Sequence, residues 1–280
     1  MDSLTQATPE SPTAITVEWE ANEYSQSGED GIISKVLELI HPRTSGLCID
    51  IGANDGYFCS NTAALRKRGW ISILIECDPM HQEALRKLDD SRVIMVKITP
   101  ENAISTLKEV YSAEKCDVLS CDVDGDDVQI VKALIQGGCR PGIVVVEYNP
   151  TFPPFLYRLN PPGTNKGSSL KCVVDELNAL EYDCVYATIS NAIFVDRAVN
   201  GTKIRPMNVF EAFRWDALRF VCSDYDGQNH LSTITEIQET IVNPWDRLPS
   251  AKAMQYPTRM LGYDDARKRQ ERANHNHFGD

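Results

Sequence analysis

The sequence predicts a doubly wound α/β fold, and three observations carry that prediction. From Gly46 to about Gly142, apolar runs of strand length alternate with amphipathic stretches of helix length, the pattern of a parallel sheet covered by helices on both faces. The first of these strands ends in a glycine turn, Asp50-Ile-Gly-Ala-Asn-Asp-Gly56, that runs into a helix. An acidic residue, Glu76, ends the next strand about 20 residues beyond that turn.

Taken in order, the elements begin ahead of the first strand. Ser27 is placed to cap a helix with Asp30 at its third position, and Ile32, Ile33, Val36, Leu37 and Ile40 form one apolar face that should pack on the sheet. Strands are expected at Leu47 to Ile51, Ser72 to Glu76, Val93 to Ile98, Val118 to Asp122 and Ile143 to Glu147. Helices are expected between them, at about Phe58 to Arg68, Pro79 to Leu88, Ala103 to Ala113 and Val128 to Ile135. From Tyr148 to Ser168, five prolines interleave with Phe152, Phe155 and Tyr157, so an ordered loop is expected. A helix over Leu170 to Leu180 and strands at Cys184 to Ala187 and Ala192 to Val195 follow. Residues 1–20 read as a flexible arm, 21–200 as one domain and 201–280 as a C-terminal extension. In that extension Trp215, Phe220 and Trp245 argue for packing, and Asp264 to Asn274 reads as a charged helix or loose tail.

Composition narrows the function classes. With 280 residues, 42% apolar and 24% charged, the chain can bury a sizeable core, which excludes disordered and collagen-like classes. The balance of 28 Lys+Arg against 40 Asp+Glu, net -12, repels a phosphate backbone, so nucleic acid is not an expected partner. Nine cysteines, odd in number and without a C-x-x-C pair, signal neither a disulfide framework nor a zinc site. No apolar run approaches the ~20 residues that span a bilayer, and Met1 to Thr13 is polar. A cytoplasmic protein with no membrane partner is the expectation, its oligomeric state unspecified.

The glycine turn is the main chemical signal. Gly52 and Gly56 allow a sharp turn and close approach of a ligand whose space a side chain would occupy. A dinucleotide site has G-x-G-x-x-G facing pyrophosphate; here Asn54 holds the central position, and Asp50 and Asp55 suit a cation better than a phosphate. Glu76 is placed to accept hydrogen bonds from ribose hydroxyls. Together these features describe an adenosyl ligand that carries positive charge, with S-adenosyl-L-methionine as the candidate.

At the end of the fourth strand, Asp122 and Asp124, with Asp126 and Asp127, form an acidic cluster facing the ligand crevice. Three roles are open to it: holding an ammonium group, taking a proton from an acceptor hydroxyl, or ligating a divalent cation through Asp122 and Asp124. Asp126 and Asp127 equally suit the start of the next helix. Glu147 and Asn149 end the fifth strand, within reach of an acceptor. All five histidines lie outside these motifs.

The segment Tyr24-Ser-Gln-Ser-Gly-Glu-Asp30, the Asp50 to Gly56 loop, Cys121-Asp-Val-Asp-Gly125 and the strand ending in Glu147 resemble the FkbM-type class I methyltransferases, over roughly residues 24–197. Asp122 to Asp127, Glu147-Tyr-Asn-Pro150, Gly167-Ser-Ser-Leu170 and Asn191-Ala-Ile-Phe-Val195 resemble an uncharacterised branch of that family. The resemblance implies a Rossmann-like, mostly parallel seven-stranded sheet with its last strand inserted antiparallel. It implies S-adenosylmethionine at the carboxyl ends of the first strands: Gly52, Ala53, Asn54 and Gly56 along the methionine moiety, Glu76 at the ribose and Gln26 above; Asp50, Cys77 and Asp122 are further candidate cofactor-binding residues. Many members carry Lys before the fourth-strand aspartate, as in K-I-D-V-E-G; Ser120-Cys121-Asp122-Val-Asp-Gly125 stands here, so that lysine's role is not carried over. The implied activity is methyl transfer to a small molecule, at oxygen before nitrogen, with Asp122, Glu147 and Asn149 as candidate catalytic residues. The rival readings are a non-catalytic binding or scaffold member and a nucleotide-dependent oxidoreductase, the latter disfavoured by the missing central glycine.

Overall fold

Strands rich in Ile, Val and Leu pair into a seven-stranded sheet because both of their faces are covered. A computed structural model describes residues 11–42, 44–88, 91–110, 116–223, 229–233 and 254–257. In chain order its elements are α1 (Glu29–Ile40), β1 (Leu47–Ile51), α2 (Ala63–Lys67), β2 (Ile71–Glu76), α3 (Gln82–Arg86), β3 (Ser91–Met95), α4 (Ala103–Val110) and β4 (Val118–Cys121). Then come α5 (Asp127–Gln136), β5 (Ile143–Glu147), α6 (Leu170–Asn178), β6 (Tyr182–Ala187), β7 (Asn191–Asp196), α7 (Arg197–Asn200) and α8 (Val209–Ala212). A second sheet joins β8 (Leu218–Ser223), β9 (Asn229–Thr233) and β10 (Met254–Pro257) in the order β10-β8-β9.

The large sheet runs β3-β2-β1-β4-β5-β7-β6. Pairing is parallel from β3 to β5, and β7 lies antiparallel between β5 and β6. One reversed strand at that place makes this the class I methyltransferase form of the Rossmann-like fold, a mixed sheet that is parallel except at β7. The carboxyl ends of β1, β2, β4 and β5 share one edge, where open α/β sheets bind their ligands.

Alternation divides the core. Ile49, Ile51, Leu119, Cys121, Val144 and Val146 face α4, α5 and α6, whereas Cys48, Val118, Ile143 and Val145 face α1 and α2. On that face the alternation continues through Asp50, Ser120 and Glu147, so these polar residues nearest the ligand edge share the side of the sheet that α1 and α2 cover. Among the described residues no helix is long and apolar enough to cross a membrane.

Several boundaries differ from the expected ones for physical reasons. The arm expected over residues 1–20 belongs to the fold from Thr13 onward: Thr13 bridges Ile204 and Ile15 is buried in the core. Ile204, Val209, Ala212 and Phe213 are likewise buried, so the domain extends past residue 200. Helix α1 starts after Gly28, in the left-handed region at φ 102°, and not with a Ser27 cap. Asp30 turns backward, where Oδ2 accepts the N–H groups of Glu23, Tyr24 and Ser25 at 2.7–2.9 Å. Helix α2 is five residues long, not the eleven expected, because Ser60 and Thr62 are drawn inward to Asp50. Trp215 stacks edge-on against Phe213; Trp245, Asp264 to Asn274 and the side chain of Phe220 lie outside the described residues.

Candidate active site

The turn after β1 is shaped by the protein's own packing. Gly52 has φ 84°, and a Cβ there would sit 1.7 Å from the Asp122 carbonyl oxygen at the end of β4. At Gly56 a Cβ would stand 2.6 Å from Leu88 Cδ1. Gly52 is therefore required by close contact with backbone inside the protein, and Gly56 by its left-handed φ of 83°, since the end of the Leu88 side chain can move; room for a ligand, as the spacing suggested, is not the whole reason for either. Ala53 is buried with Leu74, Leu85 and Leu88, so its side chain supports the turn from beneath.

Glu76 joins the turn to β2. Its Oε2 accepts the Asn54 N–H at 2.8 Å, and Oε1 accepts those of Cys77 and Asp78 at 2.7 and 2.8 Å. A carboxylate offers about four acceptor sites, so room for a further donor remains. Asn54 itself adopts φ 54°, and its Oδ1 is buried without a hydrogen-bond partner. Cys77 is exposed beside Glu76. Gln26 follows Tyr24, whose ring lies 5.8 Å from that of Tyr57, so this segment stands beside the glycine turn.

Asp50 is directed elsewhere. It accepts hydrogen bonds from Ser60 Oγ and Thr62 Oγ1, each at 2.8 Å, and Asn61 Nδ2 donates to the adjacent Ser120. Burial pushes the Asp50 carboxyl up, opposed by the Thr62 and Ser60 hydroxyls and the Arg66 guanidinium. Its position fits a brace for the turn better than a direct ligand contact.

Asp122, Asp124 and Glu147 each present a carboxylate oxygen, all within 4.8 Å of one another. Strand alternation is not the cause, since β4 ends at Cys121. Asp124 is brought round by a left-handed residue at φ 59°. Asp127, the first residue of α5, satisfies the same turn: its oxygens accept the N–H groups of Val123 at 2.6 Å and Gly125 at 3.0 Å. Burial, and then the charge of Asp122, push the Asp127 carboxyl up to about 7. Asp126 accepts from Asn160 Nδ2 at 2.7 Å, which ties the loop after β5 to α5.

Asn149, a candidate catalytic residue from its position, is engaged in that loop. Its Nδ2 donates to the Lys166 carbonyl at 2.6 Å, and its Oδ1 accepts from Thr151 N and Oγ1 at 2.9 and 2.6 Å. This assigns Asn149 to loop anchoring, because both ends of its amide are used. Tyr148 is buried and donates its hydroxyl to the Thr188 carbonyl at 2.7 Å.

Glu29 is a residue the sequence argument missed. It is 0% exposed; Oε1 accepts from Thr188 Oγ1 at 2.6 Å and Asn191 Nδ2 at 2.9 Å, and Oε2 from the Ser27 N–H at 2.7 Å. Asn191 stands directly opposite Glu147 in the β5–β7 register. A polar strut thus runs from the start of α1 to the strand position beside the acidic trio. The signal was the helical period, since Glu29 shares a face with Ile32, Ile33, Val36 and Ile40.

No protein-family model matches the sequence, and no curated protein matches it. Among solved structures, the chain is similar to a TehB-like SAM-dependent methyltransferase from Corynebacterium glutamicum, at 12% identity and TM-score 0.39, over 61% of this chain and 88% of the other. It is similar to Aeropyrum pernix fibrillarin with natively bound S-adenosyl-L-methionine, at 13% identity and TM-score 0.39, over 58% and 72%. A SAH-bound methyltransferase from Podospora anserina shares 15% identity at TM-score 0.35, over 54% and 71%. Likeness of this degree says nothing about substrate; the reading of the site rests on its geometry.

Proposed function

We propose that this chain is an S-adenosylmethionine-dependent methyltransferase of the FkbM type, acting on a small-molecule acceptor at oxygen in preference to nitrogen. The observation that supports it is the contact of Asn54 N–H with Glu76 Oε2 at 2.8 Å, on the sheet edge where Asp122, Asp124 and Glu147 converge. A backbone turn, a carboxylate with acceptor capacity to spare and a concentration of negative charge fit the three parts of a cationic adenosyl donor.

The fit extends to single atoms. Asn54 Oδ1 is buried without a partner, and the trio of carboxylates is a pure acceptor set suited to a sulfonium or ammonium group. Glu76 would hold the ribose with Cys77 at the rim, Gln26 would close from above, and Asp122 would face the methionine end. Asp50, Gly52, Ala53 and Gly56 would shape the floor. When bound, the cofactor supplies a methyl group that is already activated.

The chain's remaining task is alignment. Holding reactants in near-attack geometry supplies ~7–11 kcal/mol of a barrier. Glu147 or Asp122 takes the proton of an acceptor hydroxyl at a carboxylate oxygen, worth roughly 10²- to 10⁴-fold. Oxygen donors in this arrangement also suit a hard divalent cation. Loss of turnover on chelation, restored by Mg²⁺, would assign the trio to a metal.

Calorimetric titration of the intact protein with S-adenosylhomocysteine tests the proposal. Saturable one-to-one binding is expected, weakened strongly in Glu76→Ala. No heat with folded wild-type protein would overturn it.

A further inference from the structure

The carboxylates of Asp122, Asp124 and Glu147 suit two kinds of positive group, an ammonium or a divalent metal ion. A fourth oxygen decides between them. Asn191, the first residue of β7, is 2% exposed, and its Oδ1 is buried without a hydrogen-bond partner. A buried acceptor of this kind costs free energy unless a donor or a cation meets it.

The sheet places Asn191 beside the trio. It stands directly opposite Glu147 in the antiparallel β5–β7 pair, so the two side chains leave the same face with Cβ atoms about 4.5–5.5 Å apart. The Tyr148 N–H donates to the Ser190 carbonyl at 2.7 Å, which fixes the chain just after Glu147 against the chain just before Asn191.

Glu29 orients the amide. Asn191 Nδ2 gives its two protons to Glu29 Oε1 at 2.9 Å and to Ser190 Oγ at 3.2 Å. Glu29 accepts from Asn191, Thr188 and the Ser27 N–H and donates to none of them, so the amide cannot be turned over and its free atom is the oxygen. Thr188, in the turn between β6 and β7, donates to the same Glu29 oxygen at 2.6 Å. The amide protons are drawn towards that turn, and Oδ1 is left to the β5 side, where Glu147 stands.

We infer that Asn191 Oδ1 joins Asp122, Asp124 and Glu147 as the fourth oxygen ligand of a hard divalent cation of the Ca²⁺ or Mg²⁺ type. An ammonium group has three N–H donors, and three carboxylates already use them, so Oδ1 would stay unmet. A divalent ion takes about six to eight oxygens, and four from the protein leave places for water or an acceptor. The carboxylate oxygens lie within 4.8 Å of one another, which matches the roughly 4.6–5.2 Å across an ion with Ca–O contacts of about 2.3–2.6 Å. None of the four ligands is His or Cys, so the set does not favour zinc or copper. The use of the ion on an acceptor hydroxyl, whose proton affinity a cation lowers, rests on the proposed methyl transfer, whereas cation binding does not.

The test is calorimetric titration of the full-length protein, stripped of metal with EDTA, with MgCl₂ and with CaCl₂; electron paramagnetic resonance of free Mn²⁺ gives a third probe. One saturable site is expected without cofactor. Asn191→Ser removes the fourth oxygen, and Asp124→Asn removes a charge at a left-handed position that asparagine tolerates; each should raise the dissociation constant at least about tenfold. Glu29→Gln offers amide protons to Asn191 and turns its amide over, so it should weaken the ion similarly with all three carboxylates in place. Three outcomes would overturn the inference. The first is no binding of any of the three ions up to about 10 mM. The second is unchanged affinity in Asp124→Asn or Asn191→Ser, with Glu29→Gln read in place of Asn191→Ser should the latter not fold. The third is displacement of Mn²⁺ by S-adenosylmethionine, which would give the carboxylates to the cofactor's own charge. Titration with S-adenosylhomocysteine in EDTA reads the proposed activity separately, so the two failures are distinct.

Discussion

Gly52→Ala separates two explanations of the glycine turn. If Gly52 is present to leave space for a ligand, alanine should weaken cofactor binding and leave stability alone. The structure gives a different expectation. The added Cβ would lie 1.7 Å from the Asp122 carbonyl oxygen and 2.7 Å from its carbon, in a residue already at φ 84°. Left-handed backbone costs a non-glycine residue ~1–2 kcal/mol, and forced overpacking adds ~1–3 kcal/mol. A loss of roughly 2–5 kcal/mol follows, and with ~2–4 °C per kcal/mol for a domain of this size the melting temperature should fall by about 4–20 °C. Gly69→Ala is the control: Gly69 has φ 87°, yet nothing lies within 4 Å of a Cβ built there. It should show the backbone cost alone, and the difference between the variants measures the collision. Urea denaturation followed by circular dichroism reads both. Stability of Gly52→Ala equal to that of Gly69→Ala, with cofactor affinity lost, would refute the packing explanation.

Asp127 should make stability depend on pH. Its folded carboxyl is pushed up to about 7, against about 4 for an unfolded aspartate, so the folded state holds the proton more tightly. The stabilisation is full below about pH 4 and is lost as pH rises towards 7; the urea midpoint should fall across that window, and Asp127→Asn should flatten the slope. An unchanged slope in the variant would count against it. Asn149→Ala removes three hydrogen bonds from the loop after β5, at ~0.5–1.5 kcal/mol each. Faster proteolytic cleavage within residues 150–167 is expected, with kcat held and KM raised; an intact loop with kcat lost would return Asn149 to a catalytic role.

How much was legible in the sequence depended on whether one strong signal decided each element. The bounds of β1 and β5 agree with the expected ones because Leu-Cys-Ile-Asp-Ile and Ile-Val-Val-Val-Glu are almost wholly buried and are ended by a turn. The reversed strand came from the resemblance, since antiparallel insertion leaves no periodic trace. Local periodicity failed where side chains make long-range polar bonds. The apolar spacing over Phe58 to Arg68 extends the expected helix across Phe-Cys-Ser-Asn-Thr62, yet these are weak helix formers and Asp50 draws in Ser60 and Thr62, which shortens α2. The arm over residues 1–20 reads as flexible because it is rich in Ser, Thr, Pro and Glu, and only tertiary contact, with Ile15 and Ile204 in one buried cluster, shows what Ile15 packs on.

The acidic trio shows the limit most clearly. Alternation along β4 could bring Asp122 and Asp124 to one face only if the strand continued, and it ends at Cys121. They meet because Asp124 takes a left-handed conformation and Asp127 secures the N–H groups on either side of it. One turn therefore both aims the carboxylates and buries a fourth beside them, where its proton affinity rises with the charge of Asp122. A positive ligand at the trio would relieve that mutual repulsion and lower the Asp127 value. Ligand binding and the pH slope of stability are thus coupled: saturating S-adenosylmethionine should shift the stability-loss window to lower pH, and an unshifted window would place the positive charge away from Asp122.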